Sequence, residues 1–108
     1  MTNYARGRRL EWDVQHDLEE AGYETIRAAS SKGIADVIGF KPGQTVFVQA
    51  KTNGTIPPAE RVALLRLAAM VPGALALVAS RPRVTYRRLV GPGPKDWEPW
   101  SPDEIEEV

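Results

Sequence analysis

Apolar residues recur at Leu10, Val14, Leu18 and Ala21, and Gly22 follows them. That three-to-four-residue spacing lines one side of a helix, so the pattern predicts a helix from about Ala5 to Ala21 with Gly22 closing it. From Tyr23 to Ala28 the chain is β-branched and aromatic enough for a strand, and Ala29-Ser30-Ser31-Lys32-Gly33 reads as a small polar loop. Ile34 to Phe40 and Thr45 to Lys51 read as two further strands, joined at Lys41-Pro42-Gly43-Gln44, where the Pro-Gly pair favours a tight turn. Pro57-Pro58 suits the first turn of a second helix over Ala59 to Val71, which Pro72-Gly73 stops. Leu75 to Ala79 predicts a fourth strand and Val84 to Leu89 an additional one. Gly91-Pro92-Gly93-Pro94 then opens an irregular segment carrying Trp97 and Trp100. Ser101-Pro102-Asp103-Glu104 has the Ser and Glu of a capping box, which predicts a short acidic terminal helix. The order αβββαβ plus an extra strand implies an α/β domain, a mixed sheet flanked by helices.

The length of 108 residues suits one core, so residues 1–108 are expected to form a single domain with an acidic Trp- and Pro-containing segment from about residue 91. No apolar run spans a bilayer and no secretory leader is visible, so a cytoplasmic location without membrane contact is expected. Cysteine is absent and His16 is the one histidine, which excludes disulfide frameworks and thiolate sites and leaves oxygen atoms as the ligands of any metal. His16 is expected to face solvent. The net charge of zero is unevenly distributed. Residues 1–95 hold all 14 Lys and Arg against 8 acids, and the segment from Asp96 holds the other 6 acids. Clusters at Arg6, Arg8, Arg9 and at Arg81, Arg83, Arg87, Arg88 suit a phosphate-binding footprint, although such clusters also occur on any solvated surface. Alternation in the additional strand would send Arg83 and Arg87 to one face.

Two predicted strands are interrupted by polar groups. Ile34-Ala35-Asp36-Val37-Ile38 carries a carboxylate, and Phe47-Val48-Gln49-Ala50-Lys51 carries an amide and an ammonium. With a side-chain period of two, Gln49 and Lys51 project to one face, and hairpin pairing brings Asp36 beside them. Such charges are costly in a sheet unless paired or bound to a metal. A plain Asp36–Lys51 ion pair would satisfy that requirement; Glu11, bordering the apolar stripe of the first helix, adds a further carboxylate and favours a metal site.

Glu11, Gly33-Ile34-Ala35-Asp36-Val37-Ile38, a hairpin and Gln49-Ala50-Lys51 together resemble the signature of PD-(D/E)XK nucleases. Within that superfamily, Tyr4-Ala5-Arg6-Gly7, Ala21-Gly22-Tyr23 and Arg27-Ala28-Ala29-Ser30-Ser31-Lys32 are similar to archaeal-type Holliday junction resolvases, over about residues 4–71. The resemblance implies a restriction-endonuclease-like core and a Mg²⁺-dependent endonuclease, with Mn²⁺ able to substitute, that cuts four-way or other branched DNA. It implies Glu11 and Asp36 as acidic site residues, Lys51 as the catalytic lysine and Ser31 or Ser30 on a loop near the scissile phosphate. Asp36, Gln49, Glu11 and the carbonyl of Ala50 would be the metal ligands. Arg6, Arg8, Arg9, Arg27, Ser30, Lys32, Arg83 and Arg87 would contact DNA. Gln49 departs from the family pattern, which usually has a second acid there; its amide oxygen can still coordinate a hard cation.

The second helix is apolar nearly all round, with Arg61 and Arg66 its polar residues, so a second chain is expected to cover it in a homodimer. Trp97 and Trp100 are expected to lie on the protein's own surface rather than stack on bases. Another nuclease of the superfamily, restriction-like or nicking, and a catalytically decayed DNA-binding module remain alternatives.

Overall fold

The computed structural model describes residues 3–28 and 33–102, with side chains from Arg8 onward in those ranges. Helix α1 (Asn3–Glu20) is followed by strands β1 (Glu24–Arg27), β2 (Val37–Lys41) and β3 (Gln44–Ala50), helix α2 (Pro58–Ala69), and strands β4 (Leu75–Ser80), β5 (Thr85–Leu89) and β6 (Trp97–Trp100). The six strands form one sheet in chain order. Only β3 and β4, joined through α2, run parallel among these strands; the other neighbours are antiparallel.

Alternation along β3 and β4 divides the core into two. Val46, Val48, Leu75, Leu77 and Ala79 meet Leu10, Val14 and Leu18 of α1 on one face. Phe47, Ala76 and Val78 meet Leu64 and Ala68 of α2 on the other. A sheet covered on both faces explains why all six residues of β4 are buried and why its sequence reads as a continuous apolar run.

The end of α1 follows the sequence pattern closely. Tyr23 N–H bonds to Leu18 O and Gly22 N–H to Glu19 O, both at 3.0 Å, with Gly22 at φ 93°, the paired bonds of a Schellman cap. Gly39 has a different reason. A Cβ there would sit 2.9 Å from a Val46 methyl, 3.2 Å from Leu18 and 3.3 Å from Tyr23, so the missing side chain lets α1 lie against the sheet.

Three expectations are corrected. The tail from Gly91 is not wholly irregular, because β6 pairs with β5 in the register Tyr86↔Trp100, Arg87↔Pro99. Pro99 is tolerated there because an edge strand accepts a residue that cannot donate on its open side. Arg61 is not a solvent-facing polar residue of α2. It is 8% exposed and donates to Ile56 O at 3.0 Å and Pro92 O at 2.9 Å, clamping the start of α2 to the segment before β6. Arg83 and Arg87 do not share a face: Arg83 lies before β5 with φ 55°, outside any strand alternation. The expected acidic terminal helix falls mostly on residues 103–108, outside the described residues.

Candidate active site

The sheet delivers its polar groups to one end of β3. Asp36 stands just before β2 rather than inside it, and Lys51 just beyond β3. The Asp36 backbone still donates to Val48 O and accepts from Ala28 N–H, both at 2.8 Å. Its Oδ2 takes the N–H of Ala50 at 2.8 Å, a donor that a strand partner would otherwise use. The side chain therefore ends the ladder and is held in a fixed orientation by it. Lys51 is positioned from the other side, its N–H donating to Ala79 O of β4 at 2.8 Å.

Gln49 is 8% exposed and shares the α2-facing side of β3 with Phe47. Its Nε2 donates to Glu60 Oε1 at 3.1 Å, while its Oε1 is buried with no hydrogen-bond partner. The Lys51 ammonium meets the same Glu60 oxygen at 2.9 Å. The alternative of a plain Asp36–Lys51 ion pair is not what forms: the ammonium pairs with Glu60. Glu60 lies in the first turn of α2.

Electrostatics link the carboxylates across the sheet. Burial raises the Asp36 pKa above its ordinary 3.8, opposed by the Ala50 N–H and Lys51 and reinforced by the Glu60 charge. Glu11 is also raised, first by burial and then by the Asp36 charge, while Arg27 and Arg8 oppose the shift. The guanidinium of Arg27 is 3.7 Å from Glu11 Oε1. Acids on α1, before β2 and on α2 thus feel a common field.

Beside Glu11, Arg8, Arg9, Trp12 and Arg27 line an open depression of about 400 Å³. Trp12 is 61% exposed, and its ring meets His16 edge to face at 5.2 Å. Arg87 stacks its guanidinium 4.4 Å from the Trp97 ring and lies against Gly54, three residues beyond Lys51. Arg83 lines a separate depression with Arg81, Asp13, His16, Asp17 and Glu20. Trp100 packs on Tyr86 at 5.2 Å, as expected of a tryptophan covering its own sheet. Arg6, Ser30, Ser31 and Lys32 have side chains outside the described set.

Two site residues were not singled out from the sequence. Glu60 is separated from Lys51 by a loop containing Asn53-Gly54, and only its place as an acid in the first turn of a helix following the lysine strand signals it. Trp12 breaks the polar side of α1 next to Glu11, and that break is its signal. Among the described residues, no three acidic, histidine or cysteine side chains gather closely enough to hold a metal ion by themselves. The donor chemistry still fits a hard cation, because the orphaned Gln49 oxygen would add a neutral donor to the carboxylates.

A mixed sheet between two helices, with an acid and a lysine at adjoining strand ends, is the arrangement of a PD-(D/E)XK-type nuclease. The chain belongs to the archaeal Holliday junction resolvase (Hjc) family, whose model matches residues 2–91. It is a junction-resolving endonuclease of that family. Among solved structures it is similar to Archaeoglobus fulgidus Hjc, a Holliday junction resolvase from an archaeal hyperthermophile, at 27% identity and TM-score 0.62. That match covers 77% of this chain and 70% of the other. No curated protein matches the chain. Among the described residues no helix is long and apolar enough to cross a membrane.

Proposed function

We propose that the chain resolves four-way DNA junctions as a homodimer, by hydrolysis assisted by Mg²⁺ or Mn²⁺ at a site made by Glu11, Asp36, Gln49 and Lys51. The observation that carries the reading is the convergence of Asp36, Lys51 and the unpaired Gln49 oxygen at one end of β3. Asp36, Glu11, the Gln49 oxygen and the Ala50 carbonyl would hold the ion. Bound there, it supplies polarisation of the phosphodiester and acidification of a water.

The protein's own groups do the rest. Lys51 orients the attacking water and offsets the charge that develops on the phosphate. The water oxygen bonds to phosphorus as the bond to the 3′ oxygen breaks; the leaving oxygen takes a proton, giving a 3′-hydroxyl and a 5′-phosphate. Asp36 is kept in place by the Ala50 N–H, so the acid needs no reorganisation as substrate arrives. Arg8, Arg9, Arg27 and Arg87 offer phosphate contacts on either side of the site, which set affinity and register. Ser30, Ser31, Lys32 and Arg6 would extend that contact. A two-fold dimer would present two such sites to the two symmetric strands of a junction.

The test is cleavage of labelled four-way junction, flap and linear duplex, with and without Mg²⁺, by the parent and Lys51→Ala. Junction-selective, ion-dependent cutting is expected, with the variant slower by about 10²–10³-fold and junction binding retained. Equal cutting of linear duplex would reassign the chain to another activity of the superfamily. Binding without cutting under every ion condition would mark a decayed module.

A further inference from the structure

Glu60 and the departure at Gln49 are a single feature of this site. Position 49 is buried, and its side chain lies 3.1 Å from the Glu60 carboxylate. A second carboxylate at that distance would repel Glu60 unless the two shared a proton. An amide suits the place because its nitrogen donates to Glu60, and its oxygen is left buried without a partner. The same Glu60 oxygen receives the Lys51 ammonium at 2.9 Å. An orphaned, buried oxygen on the amide that bonds the carboxylate paired with Lys51 points to an electropositive ligand.

We infer that Glu60, from α2, supplies the negative charge that Gln49 lacks, acting with Asp36 and the Gln49 oxygen to hold a divalent cation. The inference rests on the reading of the site given above and adds a residue to it. With Glu60 counted, Glu11, Asp36 and Glu60 against Lys51 give the site the same formal charge as an arrangement with an acid at position 49 and none at position 60. The place of Glu60 in the first turn of α2, behind Pro58, fixes the carboxylate relative to the lysine strand.

The experiment is a Mn²⁺ titration of the intact protein, reading free ion by electron paramagnetic resonance, for the parent, Glu60→Gln and the swap Gln49→Glu/Glu60→Gln. Glu60→Gln keeps an oxygen for the Lys51 hydrogen bond but removes the charge. It is expected to weaken Mn²⁺ binding by about tenfold or more, and the swap to recover most of that loss. A merely structural Glu60 would leave ion affinity unchanged and would gain nothing from the swap. Binding by Glu60→Gln equal to the parent, or a swap as weak as Glu60→Gln, overturns the inference. Junction cleavage by the parent keeps the two readings apart. A parent that cuts while Glu60→Gln binds Mn²⁺ normally removes only Glu60, whereas a parent that neither binds Mn²⁺ nor cuts overturns both.

Discussion

Replacing Asp36 by asparagine is expected to stabilise the protein while stopping its chemistry. In the fold, burial and then the Glu60 charge raise the Asp36 pKa, outweighing the help of the Ala50 N–H and Lys51. An acid whose folded pKa exceeds its unfolded value destabilises the fold when ionised. That penalty is absent below the ordinary range near 3.8, develops as pH rises through the folded value, and is fully present above it. Asparagine removes the charge and keeps an oxygen for the Ala50 N–H. The expected gain without divalent ions is about 0.5–2 kcal/mol, a rise in melting temperature of a few degrees. Alanine relieves the same charge but leaves the part-buried Ala50 N–H unpaired, a cost of about 1–3 kcal/mol that should cancel or reverse the gain. Differential scanning fluorimetry from pH 4 to 8 reads all three proteins. The asparagine advantage should shrink as pH falls, and saturating Mg²⁺ should reverse the order, since a ligand at about a hundred times its dissociation constant adds about 2.7 kcal/mol to the parent alone. An asparagine variant less stable than the parent at neutral pH without ions, or one as stable as alanine, refutes the reasoning.

Other consequences test different parts of the molecule. Arg61→Met leaves the buried carbonyls of Ile56 and Pro92 without their donor and should cost about 2–4 kcal/mol, read from the urea midpoint; an unchanged midpoint would deny the clamp a role. Trp12→Ala is expected to lose about 1–3 kcal/mol of junction affinity with the salt dependence unchanged, as for a ring that stacks rather than neutralises phosphate. Equal affinity to the parent would assign Trp12 to its contact with His16 alone. Sedimentation should find a dimer at micromolar concentration, and Met70→Glu, at the 76%-exposed end of α2, should shift it toward monomer; a monomeric parent removes the two-fold arrangement.

What could be read from the chain depended on how locally each feature is determined. The α1 stripe, the Gly22 cap and the Pro-Pro start of α2 are set by neighbours within a few residues, and each lies within a residue or two of its expected place. Strand β6 was hidden because Pro99 is decided by its position at the sheet edge, and edge position is a property of the whole topology. Arg61 was misjudged for the same reason: helical periodicity places it on a face but does not show that two carbonyls, one of them 31 residues away, are waiting there.

The site shows this division within a few ångströms. Asp36, Gln49 and Lys51 were legible because a period-two strand has no apolar reason to hold them, and pairing of β2 with β3 brings them to one end. Glu60 was not legible, since an acid in the first turn of a helix already has an ordinary role with the helix dipole. Only the β3–α2–β4 crossover, which lays α2 on the face that carries Gln49, brings that acid to both the amide and the lysine. A position that departs from a family's pattern is therefore best judged with its spatial neighbours. At Gln49 the missing charge is found nine residues beyond Lys51, on a different element.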